Sequence, residues 1–160
     1  MSKPNPHFGF TLIEILLVAV ILSIVTIGVF SLSLSYKQKK QLEVTSLNVA
    51  SYIDSARQQS IISFEKQQHG IKISPSDKAF YHVTRANLIS TPVTQNQILI
   101  PPEFSISQPA SEQIIWFDKK TGFIDSTSFI NQITLTSKSY VSHLSILPSG
   151  TVSVLQVTTL

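Results

Sequence analysis

The chain has 160 residues, a formal net charge of +3 and no cysteine. That length suits one modest domain rather than several, and the absence of cysteine excludes a disulfide framework or a thiolate metal site. The surplus of positive charge sits in Lys37, Lys39 and Lys40; beyond them eight basic residues balance eight acidic ones, so the composition is not that of a nucleic-acid-binding face.

The first nine residues carry Lys3, Pro4 and Pro6 and are too short to fold, so 1–9 reads as a leader. Phe10 to Leu34 follows, a run of 25 residues in which Glu14 is the sole charge. As a helix it would extend about 37 Å at roughly 1.5 Å per residue, enough to cross a bilayer core of about 30 Å with some tilt. A carboxylate within such a span costs about 2.5 to 3.5 kcal/mol on insertion scales, so it calls for a partner. A cut after Gly9 would create a cationic amine on Phe10, one turn before Glu14, in the same chain or in a packed neighbour. A carboxylate in the first turn also suits the positive end of the helix dipole. Pairing between subunits would neutralise the charge and set the stagger of the helices.

Two plainer readings of the run stay open. A secretory signal would be cut near Ser31-Leu32-Ser33, although its apolar stretch normally spans about 7 to 15 residues. A signal anchor would remain uncut. Neither accounts for Glu14.

Gly9-Phe10-Thr11-Leu12-Ile13-Glu14, followed by the unbroken apolar run, resembles the class III signal of type IV pilins and type II secretion pseudopilins. The resemblance implies cleavage after Gly9 by a prepilin peptidase and N-methylation of Phe10. Residues 10–34 would anchor the chain in the inner membrane and later form the filament core, with Glu14 as the assembly residue. It further implies other pilin or pseudopilin subunits and an inner-membrane assembly platform as partners, a lipid bilayer before assembly, and a C-terminal region outside the cytoplasm that ends in a pilus or pseudopilus. Charge bias points the other way, because Lys3 precedes the span while Lys37, Lys39 and Lys40 follow it. Those three lysines are placed to meet anionic lipid headgroups. Unlike many major pilins, the run holds no proline, and Gly28 is its one weak point.

Neither Gly nor Pro occurs between Val29 and His69, which predicts a helix continuing over 35–69. Leu47, Ala50, Ile53, Ala56, Ile61 and Phe64 recur at helical spacing as its core stripe, Lys40, Glu43, Asp54, Arg57, Gln58 and Glu65 form the polar faces, and His69-Gly70 is the expected stop. From Gly70 the period changes to two. Strands are predicted at Ile71 to Ile73, Phe80 to Thr84, Gln97 to Ile100, Gln113 to Phe117, Gln132 to Thr136, Tyr140 to Ile146 and Thr151 to Val157, with Ile100 to Pro109 as a loop. The result is an α+β fold, a long helix packed on an antiparallel sheet over 70–160.

The order Ile115-Trp116-Phe117-Asp118-Lys119-Lys120-Thr121-Gly122, Ile133-Thr134-Leu135, then Leu144 to Val154 around Gly150 is similar to the H-type minor pseudopilin of type II secretion, FimT-like minor pilins and the D-type competence pseudopilin. This resemblance implies a minor subunit.

No catalytic constellation is present in the sequence. His7, His69, His82 and His143 lack metal-ligand spacing, and no G-x-S-x-G, P-loop or G-x-G-x-x-G run occurs. The chain therefore reads as a structural subunit, not an enzyme, with no cofactor and no metal. Trp116 reads as core or hairpin anchor. A DNA-capturing minor pilin is the alternative, with Lys119, Lys120 and Lys138 gathering near the hairpins; a membrane-anchored enzyme is a third.

Overall fold

The computed structural model describes residues 11–62, 67–87, 90–125 and 130–160, with positions 28 and 30–32 described by backbone alone. The chain divides into two units, Met1–Lys37 and Gln38–Leu160. A single helix, α1 (Leu12–Ile62, 51 residues), contributes to both.

Thr11 caps the start of α1. Its carbonyl accepts the N–H groups of Glu14 at 3.0 Å and Ile15 at 3.3 Å, and its hydroxyl lies 3.4 Å from the Glu14 nitrogen. Thr11 is thus the N-cap and Glu14 the third helical residue, the arrangement of a capping box's threonine half.

In the second unit α1 buries Leu42, Ser46, Val49, Ile53, Ala56 and Ser60, a stripe whose spacing alternates between four and three residues. Ile53 and Ala56 fall in it as expected. Leu47 does not: it is 50% exposed, whereas Val49 is fully buried, and Ile61 lies outside the stripe as well. Phe64 is outside the described residues. The stripe was misplaced because two of its positions are serines. Both are satisfied: Ser46 Oγ donates to the Leu42 carbonyl and contacts Ser142 Oγ, each at 2.8 Å, and Ser60 Oγ donates to the Phe117 carbonyl at 3.0 Å.

The strands form two antiparallel sheets, not the one expected. β1 (Gln68–Ser74), β2 (Ala79–Arg85), β3 (Val93–Leu99) and β5 (Gln113–Trp116) lie in the order β3-β2-β1-β5. β4 (Ser105–Gln108), β6 (Gln132–Thr136), β7 (Tyr140–Ile146) and β8 (Val152–Val154) lie in the order β4-β6-β7-β8, and β9 (Thr158–Thr159) also pairs with β7. β6 and β7 have the predicted bounds. β4 occupies the stretch expected to be a loop, where a four-residue strand with one apolar side chain, Ile106, leaves almost no periodic signal.

His69 and Gly70 lie inside β1 instead of ending the helix. Gly70 is needed for close approach: an added Cβ would stand 2.6 Å from the Ile115 carbonyl oxygen and 2.7 Å from the Trp116 ring. Gly150 serves a turn, with φ at 77°, and an added Cβ would meet the Gly122 carbonyl oxygen at 2.5 Å and Arg57 Cδ at 2.7 Å. The two glycine turns therefore press on each other and on Arg57, which pairs with Asp54 at 3.0 Å.

Phe80, Ile71 and Ile115 from one sheet, Leu135 and Leu144 from the other, and Phe104 and Phe117 between strands close a core around the stripe of α1. Substitutions separate the observed stripe from the expected one. Ile53→Ala should cost about 2 to 5 kcal/mol of unfolding free energy, and Leu47→Ala within about 1 kcal/mol. Urea unfolding of the full chain in detergent, followed by Trp116 fluorescence, measures both; equal losses would contradict the packing described.

Candidate functional site

Within the first unit, every described side chain from Thr11 to Ile27 is exposed, and from Leu12 onward all but Glu14, Ala19, Ser23 and Thr26 are Leu, Ile or Val. The helix is apolar around its whole circumference, the pattern of a segment surrounded by lipid or by other helices. Its hydroxyls are satisfied internally: Ser23 Oγ donates to the Ala19 carbonyl at 2.8 Å and Thr26 Oγ1 to the Leu22 carbonyl at 2.7 Å. Among the described residues no helix is long and apolar enough to cross a membrane. The expected span of 10–34 includes Phe10 and the side chains at 28 and 30–32, which lie outside them.

Glu14 projects from the first turn of this helix, is exposed, and meets no cation among the described residues. Gly9 and Phe10 lie outside the described residues. Thr11 is the residue that sequence reasoning missed here; the spacing Thr-x-x-Glu carried the signal.

Lys37, Lys39 and Lys40 are all exposed. Lys40 Nζ sits 3.0 Å from a Glu43 carboxylate oxygen, so part of its charge is met on the helix itself. Lys39, Glu43 and Leu47 face Val154 to Val157 across a cavity of about 380 Å³ that holds no pairing of a base with a nucleophile.

The lysines that would gather for DNA stand apart. Asp118, next to Lys119 and Lys120, approaches Ser60 near the end of α1, while Ser142, just beyond the turn that carries Lys138, touches Ser46. Those two serines are separated by about 21 Å of helix at roughly 1.5 Å per residue. Lys119 also leans away to the Ala86 carbonyl at 3.5 Å.

A second cluster lies on β1 and β2. His69 Nδ1 and His82 Nε2 are 2.9 Å apart, the rings stack with centroids 5.0 Å apart, and both residues are buried. They are diagonal neighbours, because His69 faces Thr84 and His82 faces Ile71; the hairpin register held this signal. The backbone N–H of His82 donates to Tyr52 Oη at 3.1 Å, while His69 Nε2 has no partner among the described residues. Burial lowers both imidazole pKa values, helped at His69 by Lys119 and at His82 by His69. Trp116 carries the Arg85 guanidinium 4.0 Å from its ring centroid. Among the described residues no three His, Cys, Asp or Glu converge as metal ligands.

Residues 5–30 match the family described as the prokaryotic N-terminal methylation motif. That match contains Gly9, Phe10, Thr11 and Glu14. The motif is the mark of type IV pilin-like subunits, which a prepilin peptidase processes and which start in the membrane and then join other pilin subunits; it points to a structural subunit rather than an enzyme. Neither a curated protein nor a solved structure matches the chain.

The histidine pair gives a pH dependence with a defined sign. Since both folded pKa values lie below the unfolded value near 6.5, the unfolded chain binds more protons as the pH drops. Stability is fully present above about pH 6.5 and should fall as the pH is lowered below it, through a range where ordinary carboxylates remain charged. Urea midpoints at pH 7.5 and 5.5 measure the loss, which should shrink in His82→Gln; an unchanged difference would contradict the assignment.

Proposed function

We propose that this chain is a minor pilin or pseudopilin, cut by a prepilin peptidase between Gly9 and Phe10, methylated on the Phe10 amine, and assembled into a type IV pilus or type II secretion pseudopilus. The observation that carries the reading is one coincidence. A methylation motif over residues 5–30 covers the start of α1, where residues 12–27 are apolar on all faces and their only carboxylate, that of Glu14, meets no cation among the described residues.

The chemistry follows from that carboxylate. Before assembly, residues 10–34 cross the inner membrane with the C-terminal unit outside the cytoplasm, and Lys37, Lys39 and Lys40 are placed to meet anionic headgroups. Lipid tails are as apolar as leucine, so packing this helix against its neighbours offers little hydrophobic gain. The difference between lipid and filament therefore rests on charge: Glu14, unpaired in lipid, gains the cationic Phe10 amine of an adjacent subunit. At about 4 Å and an effective dielectric near 20 such a pair interacts by roughly 4 kcal/mol, and its geometry fixes the stagger.

The C-terminal unit supports the minor-subunit reading. Its two glycine turns, at Gly122 and Gly150, end the β5 segment and link β7 to β8, the positions at which the sequence resembles the H-type pseudopilin and FimT-like group.

Intact mass and N-terminal sequencing of the full chain, expressed with and without a prepilin peptidase, test the proposal. The expected product lacks residues 1–9 and carries a methyl group on Phe10, and Glu14→Ala should be cut normally yet fail to enter filaments. Cleavage near Ser33, or no cleavage, would overturn the reading.

A further inference from the structure

The apolar run and the helix do not begin together. The run starts at Phe10, whereas α1 starts at Leu12, and Thr11 between them is not helical. An apolar segment favours winding to its very end, because backbone N–H and C=O groups left open in lipid are costly. Thr11 stops the winding locally. Its carbonyl takes the N–H groups of Glu14 at 3.0 Å and Ile15 at 3.3 Å, and its hydroxyl, 3.4 Å from the Glu14 nitrogen, holds the capping position.

A rival start lies just upstream. Glycine caps helices about as well as threonine, and Gly9 stands two residues before Thr11. A helix capped at Gly9 would wind through Phe10 and Thr11. Since the carbonyl of a capping residue accepts the first bond of its helix, the Gly9 carbonyl would then be tied to the Ile13 N–H. The same shift would move Glu14 from the third helical position to the fifth, out of the first turn where the dipole and a capping box favour a carboxylate. Thr11 and Glu14 therefore select the later start together.

The choice of start bears on the proposed cut between Gly9 and Phe10, and the role assigned here to Thr11 rests on that reading. A peptidase attacks the carbonyl of the bond it breaks, and a carbonyl tied into a helical turn is aligned with the axis and shielded by the turn that follows. We propose that Thr11 is a positioning residue for processing: its cap sets the start of α1 beyond the scissile bond and so keeps the Gly9 carbonyl open to the peptidase.

Thr11→Val keeps the shape of the side chain and removes the capping oxygen, while Thr11→Ser and Thr11→Asn supply one. Steady-state cleavage of the full chain in detergent micelles by a prepilin peptidase compares the three with the wild type. Thr11→Val should raise KM about five-fold, the worth of a typical N-cap, with kcat little changed, because fewer molecules present the open bond. Thr11→Ser and Thr11→Asn should match the wild type. In the absence of peptidase, the carbon-13 shifts of Phe10 should move to helical values in Thr11→Val alone. An unchanged KM for Thr11→Val, with the wild type still cut after Gly9, would overturn the role of Thr11 and leave the cleavage reading intact. Thr11→Asn as slow as Thr11→Val would also overturn it, since the peptidase would then be reading threonine itself. A wild-type chain that is not cut after Gly9 would overturn both.

Discussion

One helix must satisfy two surroundings, and the way its side chains change along its length governs the rest of the molecule. Near its start α1 is apolar on every face and carries one carboxylate; from Leu42 onward it narrows to a single buried stripe with polar residues around it. The first pattern is left uncovered among the described residues, where every side chain from Thr11 to Ile27 is exposed. The second is covered, and the two sheets supply the surface.

That division explains where polar groups are tolerated. On the stripe, Ser46 and Ser60 are buried without loss because each hydroxyl has partners, and both reach across to the sheets. Small residues at these points let the helix lie close to Ser142 and Phe117, while Leu42, Val49 and Ile53 fill the space between. At the apolar start, Ser23 and Thr26 return their hydroxyls to the helix's own carbonyls. Glu14 has no such option, since a carboxylate accepts hydrogen bonds and helix carbonyls offer no donor. Its backbone N–H is held by the Thr11 cap and its side chain is left to find a cation.

Much of this was legible in the sequence, for reasons that differ between elements. The helix and the strands β6 and β7 were clear because their periodicity runs long enough to be distinctive and no competing turn interrupts it. The stripe was harder: Leu47 and Ile61 attract attention as aliphatics, and only the structure shows that serines at 46 and 60 keep the inward phase. β4 was invisible because four residues with one apolar side chain do not define a period, and the single sheet became two because pairing order is set by contacts between distant strands. His69 and His82 lie thirteen positions apart, and their contact appears only when the β1–β2 register is known. At the N-terminus, Glu14 stood out by being unaffordable, whereas Thr11 passed unnoticed because a cap is a local hydrogen bond rather than an anomaly of composition.

The claim on which the functional account turns is that Glu14 is paired by a neighbour's N-terminal amine. Filaments assembled from a mixture of isotopically light and heavy subunits and treated with a zero-length carbodiimide would test it by mass spectrometry. The account predicts an amide between the Glu14 carboxylate and the N-terminal amine of a different subunit, seen as mixed-label cross-linked peptides. Links confined to a subunit's own Phe10 amine, or no link at Glu14 in intact filaments, would contradict it.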